Sequence, residues 1–97
     1  MKLMISQPMK GKTQEQIQKE REPFVKKLEE QGHTVVDSFF SETPSNNNSA
    51  LWCLGKSFEL MSECDGVVFL PGWQLARGCI LEHSAAESYG LFIKSME

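Results

Sequence analysis

The chain has 97 residues, 40% hydrophobic and 24% charged, enough for one small domain spanning 1–97 and too few for a second core. A net charge of −3 and a pI near 5.4 speak against a nucleic-acid polymer as partner, since such binders carry a basic stripe, although a helix N-terminus and one or two cations can still hold a single phosphate. No apolar run reaches the ~20 residues of a membrane span. The opening Met1–Pro8 is too short and too soon interrupted for a signal peptide, and Cys53, Cys64, Cys79, His33 and His83 lack metal-ligand spacing. The expectation is a cytoplasmic protein with reduced thiols, no membrane contact and no metal or cofactor.

Leu3-Met4-Ile5-Ser6 is an unbroken apolar run cut off by Gln7-Pro8-Met9 and Gly11, as in a strand buried on both faces of a parallel sheet. Thr13 and Gln16 form a capping box, predicting a helix with Ile17, Phe24, Val25 and Leu28 on one face. Arg21 falls in the middle of that face and needs a partner, such as Glu87, or a route to solvent. Pro23 predicts a kink or a later start, and Gly32 a left-handed cap. His33–Phe40 reads as the second strand, and Ser41–Ser49 as a polar loop. Ser49 is the expected cap of a second helix striped by Leu51, Leu54, Phe58 and Met61. Val67–Leu70 is the third strand, Pro71-Gly72 a turn, about Leu75 to Tyr89 the third helix closed by Gly90, and Leu91-Phe92-Ile93 the fourth strand.

The order β-α-β-α-β-α-β predicts an α/β fold: a small open, mostly parallel sheet of about four strands with helices on both faces, Rossmann- or flavodoxin-like. Ligands of such sheets bind at the carboxyl ends of the strands, here Ser6–Gly11, Asp37–Ser41 and Pro71–Gly78.

A helical wheel puts Leu75, Ala76, Cys79, His83 and Ala86 on the core face of the third helix and Glu82 on its flank, in line with Gly78. Helical side chains lean toward the N-terminus, so Glu82 reaches back over a residue that has no side chain to block it. The alternative is a solvated surface glutamate. In the loop before it, Gly72 allows close backbone approach, Trp73 offers an aromatic plate or simple packing, and Arg77 with the amides around Ala76 and Gly78 offers an anion nest. His83 reads as a packed histidine. Asp37 stands where doubly wound folds place a ribose-binding acid. Gln7–Lys12 is not a P-loop.

Gly78-x-x-x-Glu82 with Ala86 and Gly90 beyond, together with Ile5-Ser6-Gln7-Pro8-Met9-x-Gly11 and Pro71-Gly72-Trp73-x-x-Ala76-Arg77-Gly78-Cys79-x-x-Glu82-His83, resembles the nucleoside 2-deoxyribosyltransferase superfamily over nearly the whole length, and within it a short bacterial and phage branch. The resemblance implies that Glu82 is a nucleophile for the anomeric carbon of a nucleoside, that Ser6, Gln7, Pro8 and Met9 line the sugar and base pocket, and that Ala76 to Gly78 meet a 5′-hydroxyl or 5′-phosphate. Ser84 stands where many members have glycine, and the loop before the helix lacks their acidic side chains. With Arg77 there instead, the pattern points to a phosphorylated substrate. The family's C-terminal segment has no counterpart before Glu97, so a complete pocket is expected to draw on another subunit. The expected partners are a small-molecule nucleoside or nucleotide and further copies of the chain, as a dimer or tetramer through Leu51, Trp52 and Phe58. The reading from another class is a nucleotide-binding sensor or sequestering module without catalysis.

Overall fold

Four short strands and three helices alternate along the chain, and the computed structural model describes residues 1–38 and 48–96. They are β1 (Lys2–Ser6), α1 (Gln14–Glu30), β2 (Thr34–Val36), α2 (Ser49–Met61), β3 (Gly66–Phe69), α3 (Arg77–Ser88) and β4 (Phe92–Ser95), with a 3₁₀ turn at Trp73–Leu75 before α3. All pairings are parallel and the sheet order is β2-β1-β3-β4. The protein is thus an open, doubly wound α/β fold.

The inner strands explain the unbroken apolar runs. From Leu3 to Ser6 and from Gly66 to Phe69 every residue is buried, because both faces are covered, whereas the edge strands β2 and β4 are partly exposed. The pleat sends alternate residues to opposite faces. Leu3, Ile5, Val68 and Leu70 pack on Leu28, Phe24 and Val25 of α1. Met4, Val67 and Phe69 pack on Met61 and Leu60 of α2 and on Ala85 and Ala86 of α3. Each such large apolar side chain contributes about 1.5–3 kcal/mol on burial.

Local signals set the helix ends. Thr13 Oγ1 accepts from the Gln16 amide while Gln16 Oε1 accepts from the Thr13 amide, completing the capping box. At the other end of α1 the His33 amide donates to the Leu28 carbonyl and the Gly32 amide to that of Glu29, the double closure that a left-handed glycine permits. Gly90 closes α3 the same way, with the Leu91 amide on the Ala86 carbonyl.

Several expectations are corrected. Helix α1 begins at Gln14 and runs through Pro23, held by its cap and by the burial of Ile17, Arg21 and Leu28. Asn48, not Ser49, caps α2, its Oδ1 accepting from the Leu51 amide at 3.0 Å. Of the α2 stripe only Met61 is buried, and Leu51 and Phe58 face solvent, because the core draws on Leu60 and Met61 at the C-terminal end. Strand β2 is three residues long; Phe39, Phe40 and the expected loop at 41–47 lie outside the described residues.

Candidate functional site

In the order β2-β1-β3-β4 the chain leaves β1 in one direction and returns across it to reach β3. The carboxyl ends of β1 and β3 therefore flank the point where the winding reverses, which is where open α/β sheets form their crevice. Ser6 and Phe69 end these strands in register. The two loops beyond them converge: a Cβ on Gly72 would lie 3.7 Å from Pro8 Cγ. Gly72 has φ +88°, which a side-chain-bearing residue adopts only with strain, so glycine lets the β3 loop turn sharply at that contact.

After Gly72 the chain makes the 3₁₀ turn, with the Ala76 amide on the Trp73 carbonyl. Trp73 stacks on His83 at 4.4 Å and 9°, and both rings lean on Phe69, at 5.2 and 4.9 Å. Trp73 and His83 are therefore packing residues at the floor of the loop. Leu75 belongs to the turn, not to the helix, and is 93% exposed, so it is no part of the core face. Helix α3 begins at Arg77 after the extended Ala76, with no side-chain cap and no acidic residue in its first turn. Its dipole favours an anion there, and Arg77, exposed, adds a positive charge.

Glu82 faces inward with Cys79 and Ala86 and is 9% exposed, which rules out both the flank position and the solvated alternative. Burial pushes its carboxyl up to about 7, and the Ser6 hydroxyl opposes that rise. Burial also raises the Cys79 thiol, with Ser6 again opposing and the Glu82 charge adding to the rise. Ser6 follows Leu3, Met4 and Ile5 in the pleat, so its side chain shares the face of Met4, the face that α3 covers. Its hydroxyl is buried and has no hydrogen-bond partner among the described residues. Ser6 thus lies on the side of the sheet where Cys79 and Glu82 of α3 are buried. One turn before Glu82, a Cβ built on Gly78 meets nothing within 4 Å, so the space beside the helix start is open.

A family model described as a domain of unknown function, DUF4406, matches residues 1–95. The chain belongs to the DUF4406 family. Neither the curated proteins nor the solved structures include a significant match to it.

The other half of the predicted site lies across the sheet in this DUF4406 chain. Gln7 turns to the α1 face, where its Nε2 donates to the Ile17 carbonyl at 3.0 Å and to Glu20 at 3.4 Å, while its Oε1 accepts from Arg21 Nε at 3.0 Å. Arg21, 6% exposed, reaches Asp37 at 3.5 Å, and Lys12 pairs with Glu20 at 2.7 Å. Asp37 thus serves as the partner of a buried guanidinium, a role sequence reasoning had offered to Glu87. Burial lowers the Arg21 pKa, with Asp37 opposing. Ser38 Oγ donates to the Ile5 carbonyl at 2.7 Å and ties the end of β2 to β1.

Pro8 and Met9 sit half-buried at the lip between the two sides. A cleft of about 300 Å³ on the α1 side is lined by Gln7, Pro8, Lys12, Glu20, Phe24, Leu70 and Pro71. A larger apolar groove of about 440 Å³ runs between α2 and α3, past Phe58, Met61, Ala85 and Tyr89. Neither is lined by Glu82, so size alone does not locate the site. Among the described residues no three His, Cys, Asp or Glu side chains cluster as metal ligands, and no helix is long and apolar enough to cross a membrane. Cys79 and Lys12 are the neighbours that sequence reasoning missed. Cys79, three residues before Glu82 on the same helix, was legible from spacing; Lys12 was not, because its partner lies eight residues away across a loop.

Proposed function

We propose that the protein breaks or exchanges the N-glycosidic bond of a nucleoside or nucleotide, with Glu82 as the nucleophile. The observation that carries the reading is a carboxyl buried under α3 one turn behind the open space at Gly78, on the side of the sheet that Ser6 faces. One carboxylate oxygen bonds to the anomeric carbon as the bond to the base nitrogen breaks. The base leaves with that electron pair and takes up a proton, giving a glycosyl ester that water or a second base resolves. With its pKa near 7, Glu82 is about half ionised at neutral pH, and an oxocarbenium-like sugar beside it favours the charged form. The uncapped start of α3 with Arg77 suits a 5′-phosphate, which favours nucleotides over nucleosides. The resemblance to nucleoside 2-deoxyribosyltransferases supports the same assignment. It carries with it a cytoplasmic setting and a homo-oligomer, for which the exposed Leu51 and Phe58 are the contact residues.

Free base should appear when the protein is incubated with deoxynucleoside monophosphates, and Glu82→Gln should lower its rate by roughly a thousandfold or more. Undiminished release from Glu82→Gln removes the nucleophile assignment. One observation favours the non-catalytic reading: among the described residues no second carboxylate bears on Glu82, whose ionisation there answers to burial and Ser6. A nucleotide recovered unaltered from the protein after long incubation decides for binding alone.

A further inference from the structure

Ser6 holds a polar hydroxyl in a place that has no obvious use for one. It is 2% exposed, ends a strand otherwise made of Leu, Met and Ile, and has no completed hydrogen bond among the described residues. An orphaned buried hydroxyl is destabilising, and alanine or valine would fit an inner strand better. The pleat and the helix above it explain the choice. Ser6 faces α3, where Cys79 and Glu82 stand one helical turn apart on the buried face. A hydroxyl donates far better to a carboxylate oxygen than to a thiol sulfur.

We propose that Ser6 is a positioning residue that donates a hydrogen bond to the ionised Glu82 carboxylate, orienting it toward the crevice and holding it charged. Among the described residues no other element competes for this part. Strand β3 contributes no titratable side chain, His83 is occupied in the stack with Trp73 and Phe69, and Arg77 is exposed at the helix start. From α2, Lys56 and Glu59 pair with each other at 3.2 Å, and β4 offers only Lys94. When Glu82 is protonated the hydroxyl meets only a neutral carboxyl, a weaker acceptor, so its contribution grows as the carboxyl ionises.

The inference deepens the reading of Glu82 as the reactive group and rests on it, yet its test needs no substrate. The Glu82 carboxyl resonance, identified by its loss in Glu82→Gln, is titrated by carbon NMR in the wild type, Ser6→Ala and Ser6→Cys. Ser6→Ala is expected to raise the midpoint from about 7 by about one pH unit, a tenfold weakening of the acid, with Ser6→Cys in between. The same rise must persist in a Cys79→Ala background. A midpoint that is unmoved or lowered overturns the proposal, as does a rise that vanishes without Cys79, which would make the thiol the true partner. Base release with an unmoved midpoint discards Ser6 and keeps the reaction; a moved midpoint without base release does the reverse.

Discussion

On the α1 side of the carboxyl edge, Gln7 meets Ile17, Glu20 and Arg21, and Arg21 meets Asp37, so that polar groups interlock from the β1 loop to the end of β2. On the α3 side, one residue back along the same strand, the Ser6 hydroxyl lacks a completed hydrogen bond among the described residues and Glu82 sits where its charge is disfavoured. The first arrangement fixes the loops; the second leaves free energy stored in a side chain beside an open path. Arg21 is not fully satisfied, since its Nη2 is buried without a hydrogen-bond partner among the described residues and burial lowers its pKa. The two sides differ in that Arg21 has a counter-charge in Asp37 and Glu82 has none among the described residues. On the proposed function, that difference makes Gln7, Arg21 and Asp37 scaffolding and Ser6 and Glu82 the site.

The comparison can be broken from the scaffold side first. Arg21→Ala removes a buried stem and strands Gln7 Oε1, and is expected to cost about 3 kcal/mol in denaturant unfolding at any pH from 5 to 8. A loss confined to one end of that range would mean that Arg21 belongs to the titrating site. Thr13→Ala, which removes the capping box at the start of α1, should cost about 1 kcal/mol in the same measurement. Lys12→Ala breaks only a partly exposed pair with Glu20 and should leave the unfolding midpoint almost unchanged, with any small difference shrinking in high salt.

The fold was largely legible because its signals are local. Period and run length announced the strands and helices, and Thr13, Gln16, Gly32 and Gly90 announced where helices start or close. Glu82 and its open approach over Gly78 were legible for the same reason, being four residues apart on one helix. What escaped was long-range. Pairing Arg21 with Asp37 requires the parallel register of β1 and β2, which no local pattern encodes. Ser6 and Gln7 fell into one list because adjacency in sequence hides the pleat that separates them. The burial of Glu82 depends on where α3 starts. With Leu75 in the 3₁₀ turn and outside the helix, the buried face of α3 is defined by Cys79, Glu82 and Ala86.

The account stands most directly on the charge state of Glu82, and folding stability reads it without knowledge of a substrate. Below about pH 4.5 the carboxyl is protonated in both folded and unfolded chains, and Glu82 and a glutamine there should be equivalent. Between 4.5 and about 7 the unfolded chain releases the proton while the folded chain keeps it, so wild-type stability falls as pH rises and levels off above about 7. Glu82→Gln is free of that loss. Its stability, measured by urea unfolding, should match the wild type at pH 4 and exceed it by about 3 kcal/mol at pH 8. A difference that does not grow between pH 4 and pH 8 would contradict the account, because Glu82 would then be an ordinary carboxylate with no stored cost to spend on chemistry.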